Sequence, residues 1–105
     1  MGAQGTTTVN FGTSLTGSLE ASAVVTGQAT ILTGSLAEAY IYPAPTAEHS
    51  TDEHIVDPPR VMCGPVTTGV GFTIYAYAPE NPGGGQQYSD AILHYGTWTV
   101  AWVWN

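Results

Sequence analysis

The chain has 105 residues, of which only 9% are charged, and one arginine stands against eight acidic residues for a formal net charge of −7. This balance excludes nucleic acid as a direct partner, because binding to phosphates requires several Lys or Arg side chains. An anionic membrane surface is excluded for the same reason. The length suits one domain with a thin core. Because charged side chains are few, we expect contacts with other protein to cover part of the surface.

The N-terminal residues are small and lack apolar anchors, and residues 6–11 (TTTVNF) are the first that favour a pleated strand. We therefore predict a flexible N-terminal arm over residues 1–8 and a β-sandwich domain over residues 9–105. The N-terminus has neither a basic segment nor an apolar stretch, so we expect no signal peptide and synthesis in the cytoplasm.

A five-residue sequence, LTGSL, occurs at residues 15–19 and again at residues 32–36, and similar residues follow each copy. Two copies are too few for a solenoid. The pattern predicts two similar strands, each preceded by a turn, with a tight turn and a short strand over residues 29–32 between them. Chance similarity in a sequence of low variety is the alternative.

Residues 46–59 (TAEHSTDEHIVDPP) differ in composition from the rest, because they hold half of the acidic residues and two of the three histidines. Ser50 and Glu53 have the spacing of a capping box and predict a single helical turn. Imidazole and carboxylate groups bind divalent ions, but the spacing of the histidines does not match a metal-binding helix. We predict no metal site, and we regard the segment as a candidate interaction loop formed by Glu48, His49, Asp52, Glu53 and His54.

The second half of the chain contains further strand signals. We predict a short strand over residues 60–63, a turn at Gly64 and Pro65, a strand over residues 71–78 and a flexible loop over residues 79–87. No sustained helical periodicity occurs. The sequence predicts an all-β fold with little or no helix, either a small β-sandwich or a jelly-roll-like pair of sheets.

The last eleven residues, YGTWTVAWVWN, alternate as a β-strand does and place Trp98, Trp102 and Trp104 on one face. We interpret this face as the core. The alternatives are a subunit interface and, together with the tyrosines, a platform for sugar rings.

The sequence shows no constellation that carries chemistry. The one cysteine, Cys63, cannot form an intrachain disulfide and lies in an apolar run, which favours a buried, inert thiol. Asp90 and His94 have no identifiable nucleophile beside them, and the glycines at 83–85 lack the residues of a phosphate-binding loop. We therefore expect no enzyme and no cofactor.

Four segments together resemble small proteins encoded among the virion genes of tailed bacteriophages and prophages. They are residues 25–28 (VTGQ), 46–54 (TAEHSTDEH), 71–76 (GFTIYA) and 95–105. The resemblance covers most of the chain from about residue 8 onward, and it brings no catalytic motif. It implies a structural protein of the virion.

We expect first a capsid decoration, or cement, protein that assembles as an oligomer on the shell. The resemblance favours a homotrimer at capsid three-fold sites, attached to the major capsid protein or another virion protein. A tail or fibre component and a carbohydrate-binding module for host attachment are the alternatives.

Overall fold

The computed structural model describes residues 2–13, 17–78 and 94–105. Within these ranges the chain forms two antiparallel three-stranded sheets and one short helix, which confirms the predicted all-β fold. The elements are β1 (Ala3–Asn10), β2 (Glu20–Val25), β3 (Ala37–Ile41), α1 (Thr51–Val56), β4 (Arg60–Thr67), β5 (Gly71–Tyr77) and β6 (Thr97–Trp104). The strand orders are β1-β6-β3 and β2-β5-β4. The predicted loop over residues 79–87 lies outside the described residues.

The C-terminal strand β6 is the centre of the first sheet, with β1 and β3 antiparallel on its two sides. Alternation along the strand turns Trp98, Trp102 and Trp104 inward, and all three are buried. Phe72 of β5 and Trp102 form a T-shaped ring contact, with the ring centroids 5.6 Å apart. The two sheets therefore share one core, and its buried members are Val9, Phe11, Val25, Ile31, Phe72, Ile74, Ala76, Trp98, Val100, Trp102 and Trp104.

The prediction of a flexible arm over residues 1–8 is wrong for residues 3–8, because strand β1 begins at Ala3 and pairs with β6 along its whole length. The small residues that suggested an arm are required by this packing. A Cβ atom built on Gly5 would lie 2.6 Å from Cζ2 of Trp102, closer than such contacts allow. The indole thus lies directly over the glycine, and the absence of a side chain here is a packing feature of the strand.

The second sheet is centred on β5, whose Phe72, Ile74 and Ala76 face the core. The predicted turn at Gly64 and Pro65 is instead a bulge within β4, where the register shifts between Cys63 and Val66. An edge strand tolerates proline at such a bulge. The strand therefore continues to Thr67, four residues beyond its predicted end.

The two similar segments of the sequence both form strands, as predicted, but they lie in different sheets. Strand β2 flanks β5, and strand β3 flanks β6. The short strand predicted over residues 29–32 is absent, because residues 29 and 30 form a turn in which the Ile31 amide donates to the Gln28 carbonyl. Ile31 is buried without strand pairing. In the described ranges no helix is long and apolar enough to cross a membrane.

Candidate functional site: the histidine-rich segment

Strand β3 ends at Ile41, so the rest of that edge of β6 has no neighbouring strand. The histidine-rich segment begins here and runs along this edge. Beyond Ile41, the backbone groups of Thr97 and Thr99 on that edge need other partners, because a buried, unpaired amide or carbonyl is costly. The Tyr42 amide donates to the Thr99 carbonyl at 3.0 Å, and the Thr46 hydroxyl donates to the Thr97 carbonyl at 2.8 Å. We call residues 42–54, which supply these and the following groups, the edge-capping segment.

Two side chains of the edge-capping segment accept the remaining backbone amides of the β6 edge. Glu48 Oε1 accepts the Thr97 amide at 3.1 Å and the Thr97 hydroxyl at 2.6 Å. His54 Nε2 accepts the Thr99 amide at 3.0 Å. A carboxylate and an imidazole thus replace the carbonyl groups that a continuation of β3 would have offered.

The protonation of His54 is fixed by its two partners. Its Nδ1 lies 2.7 Å from the Ser50 carbonyl, which can only accept, so Nδ1 carries the hydrogen. Its Nε2 receives an N–H and therefore carries none. His54 is 2% exposed, and both ring nitrogens of the neutral tautomer are satisfied.

Helix α1 holds these groups in place through the predicted capping box. Ser50 accepts the Glu53 amide, and the Glu53 carboxylate accepts the Ser50 amide at 2.8 Å. This backbone hydrogen bond, followed by the contact with the His49 ring, lowers the pKa of Glu53 from its usual value of 4.5. The capping hydrogen bond therefore favours the ionised form of Glu53.

His49 is buried and packs flat on Trp98, with the ring centroids 3.9 Å apart and the planes 22° from parallel. Its Nε2 faces the Tyr95 carbonyl, and its Nδ1 lies 3.3 Å from Glu53 Oε2. The His49 ring thus connects the backbone at Tyr95 with the carboxylate of Glu53 while it stacks on Trp98.

His94 completes a cluster in which all three histidines of the chain surround Trp98. Its ring centroid lies 5.2 Å from that of Trp98, and that of His54 lies 5.0 Å away. The His94 Nε2 donates to the Asp57 carbonyl at 3.1 Å. Its buried Nδ1 has no hydrogen-bond partner, the one such side-chain atom in the described residues.

A cavity of about 430 Å³ lies beside Glu48 and Tyr95, next to the edge-capping segment. Two of the polar side chains that line it are engaged within the chain. The Asn10 side chain accepts the Gly12 amide, and Glu48 accepts from Thr97. The hydrogen bond from the Thr97 hydroxyl is the main reason that the pKa of Glu48 is lowered. These two side chains therefore stabilise the fold.

The structure divides the candidate interaction loop into inward and outward side chains. His49 and His54 are buried against Trp98, whereas Glu48, Glu53 and the exposed Asp52 lie toward solvent. Within residues 2–13, 17–78 and 94–105, no three His, Cys, Asp or Glu side chains are grouped to hold a metal ion. The described hydrogen bonds of the histidines go to backbone groups and to Glu53, not to a nucleophile.

Sequence reasoning missed several members of this site. Thr46, Thr97 and Thr99 carry no local signal, because their roles arise only when the segment lies along β6. The five-residue interval between His49 and His54 was the available signal: it is too long for one helical face, yet it places one histidine before the helix and one within it.

Cys63 faces the interior from β4 and is partly buried. Desolvation by burial raises the pKa of its thiol from the usual value of 9.0, with a further contribution from the negative charge of Glu38. Since the thiolate is the reactive form, this environment favours an inert side chain.

Comparisons with protein-family models, with curated proteins and with solved structures found no match to this chain. The fold and the site themselves define a small antiparallel β-sandwich with a histidine and tryptophan cluster at one end. The hydrogen bonds of that cluster serve mainly to close the edge of a sheet.

Proposed function

We propose that the protein is a structural subunit that assembles with copies of itself and with other protein, without catalysing a reaction. The observation that carries this proposal is its surface. Among the described residues, twelve large hydrophobic side chains are exposed, including Leu36 at 78% and Val56 at 71%. Apolar patches on a chain with so few charges are typical of surfaces that contact other protein.

The polar cluster supports a structural role. The side chains of Glu48 and His54 form hydrogen bonds with the β6 edge, and that of Glu53 forms one with the cap of α1. These bonds stabilise the fold. The 46–54 segment, which contributes to the resemblance to phage proteins, is thus explained by folding.

The specific role that we propose is capsid decoration of a tailed phage, with the protein made in the host cytoplasm and bound to the major capsid protein. This step rests on the sequence resemblance and on the apolar surface. Attachment elsewhere on the virion, to the tail or a fibre, remains the second placement of the same structural role.

Virion composition tests the proposed placement. Purified particles should contain the protein in an amount comparable to the major capsid protein, measured by band intensity on a gel and located in a particle map. A handful of copies on the tail would replace decoration by the tail placement. Absence from the particles would overturn the virion role.

Carbohydrate binding is a second candidate, and because the tryptophans are buried we propose the exposed tyrosines as its site. Tyr75 is 47% exposed, and its ring lies against Gly64, where a Cβ would be 2.7 Å from Cε2. An exposed aromatic ring lying on a sheet suits the apolar face of a sugar. Retardation on gels containing bacterial surface polysaccharide, lost in Tyr75→Ala, would favour this candidate.

A further inference from the structure

The outer face of the β2-β5-β4 sheet carries exposed side chains on all three of its strands. Antiparallel pairing places residues that lie directly opposite each other on the same face. The register therefore gives three rows across the sheet: Glu20–Tyr77–Arg60, Ser22–Tyr75–Met62, and Val24–Thr73. We call these eight residues the tyrosine face.

The centre of the tyrosine face is apolar and accessible. Met62 is 50% exposed and Val24 is 67% exposed, on either side of the Tyr75 ring. The outer face of a half-solvated antiparallel sheet normally carries polar side chains. Here the two charged groups lie on the edge strands, as at the rim of a protein interface, and Ser22 and Thr73 are the only small polar members of the face.

The charges at these margins are opposite and separated. Glu20 and Arg60 lie in one row on the two edge strands, with Tyr77 between them. Two strand spacings, about 10 Å, separate their backbones. Arg60 is the one basic residue of the chain, and the described residues include no ion pair that uses it.

We propose that a second copy of the chain packs its tyrosine face onto this one about a two-fold axis parallel to β5. That rotation places β2 of each copy over β4 of the other, in the same row order. Glu20 of one copy then faces Arg60 of the other, and the symmetry forms the pair twice. Tyr75 and Tyr77 lie near the axis and face their own counterparts.

The argument for a second copy, rather than another partner, is this charge complementarity. A partner must offer a positive and a negative group at opposite margins of an apolar face, and the chain itself offers both in mirrored order. Contacts that are self-complementary in this way are the usual basis of soluble dimers. Aligned packing of two sheets at about 10 Å also accommodates interleaved side chains of this size.

This inference rests on the proposed self-assembly and specifies its contact. The test is light scattering coupled to size exclusion at micromolar concentrations, with Glu20→Arg, Arg60→Glu and the double variant that carries both. We expect an even multiple of the 11.0 kDa chain mass for the parent. Each single variant should associate at least about tenfold more weakly, because like charges then face each other, and the double variant should recover.

Glu38→Arg is the matched control, since it makes the same charge change on β3 in the other sheet and should leave the mass unchanged. Circular dichroism of every variant checks that the fold is intact. A parent that is a trimer, or a double variant that does not recover, overturns the two-fold contact and leaves self-assembly standing. A monomeric parent overturns both, and loss of polysaccharide binding in Tyr75→Ala would then assign the face to carbohydrate.

Discussion

The contact of Gly5 with the Trp102 indole shows how strongly single positions are constrained in this thin sandwich. Trp102 covers the glycine of the neighbouring strand so closely that no Cβ fits without movement. Since both groups belong to regular strands, neither can shift without disturbing the pairing of β1 with β6. A sequence pattern typical of flexible chain therefore marks a rigid position.

Gly5→Ala should lower the free energy of unfolding by about 1–3 kcal/mol, the usual cost of overpacking a core. Gly34→Ala is the matched control, because a Cβ there meets no atom within 4 Å. Thermal or urea unfolding followed by tryptophan fluorescence measures both. Equal stability of the two variants would contradict the close packing.

His54 replaces a strand partner, and its removal should expose that role. His54→Phe keeps an aromatic ring beside Trp98 but leaves the Thr99 amide without its acceptor, whereas the Ser50 carbonyl still accepts the backbone amide of residue 54. We expect a loss of about 1–3 kcal/mol for the amide left unpaired. Ile55→Ala, at the exposed neighbouring position, serves as the control and should change stability by less than about 0.5 kcal/mol. A stable His54→Phe variant in urea unfolding would show that water replaces the imidazole.

At the scale of elements, β1 is part of the sheet and not an appendage. Deleting residues 1–8 should abolish the native tryptophan fluorescence and the cooperative melt, because the deletion exposes the side of β6 that β1 covers. If the truncated chain melts like the parent, residues 1–8 are a dispensable arm and not part of the sheet.

A pair of proline variants tests the same pairing with smaller changes. The Phe11 amide donates to the Gly96 carbonyl, so the alternate residues Val9 and Thr7 direct their amides toward β6 as well. Thr7→Pro should therefore destabilise the protein strongly. Thr8→Pro, whose amide faces away from β6, should cost much less, as expected for an edge strand. Equal melting temperatures for the two variants would contradict this register.

The edge-capping segment predicts how stability depends on pH. The pKa values of Glu48 and Glu53 are both lowered in the folded chain from the usual 4.5, mainly by hydrogen bonds from Thr97 and from the Ser50 amide. A lowered folded pKa stabilises the fold above the unfolded value, and the contribution is lost as pH falls through the folded value. The melting temperature should thus drop as pH decreases below about 4.5, and Glu48→Gln should make that drop shallower. If the melting temperature of Glu48→Gln falls with pH as steeply as that of the parent, Glu48 does not contribute to the pH dependence.

At the scale of the whole molecule, the histidine cluster is expected to work without a metal ion. All described ring nitrogens except His94 Nδ1 already have hydrogen-bond partners. EDTA should leave the melting temperature and the oligomeric mass unchanged. A fall in melting temperature of many degrees that zinc or calcium reverses would show that His94 and other residues bind a metal ion.

The sequence by itself determined the all-β class, the inward tryptophans, the capping box of α1 and the two similar strands. Each follows from local chemistry: alternation along a strand, or the spacing of a side chain from the backbone amide that it caps. These signals need no knowledge of neighbouring elements. Composition likewise indicated few charges and an apolar surface before any contact was known.

Only the tertiary structure decided the role of Gly5, the bulge at Gly64 and the conversion of an acidic loop into the cap of a strand edge. Those features depend on which strand lies opposite, and strand pairing joins residues far apart in the chain, such as Glu48 with Thr97. The same pairing brought Glu20, Tyr77 and Arg60 into one row. A linear sequence cannot encode that row locally, because it arises only when three strands adopt a common register.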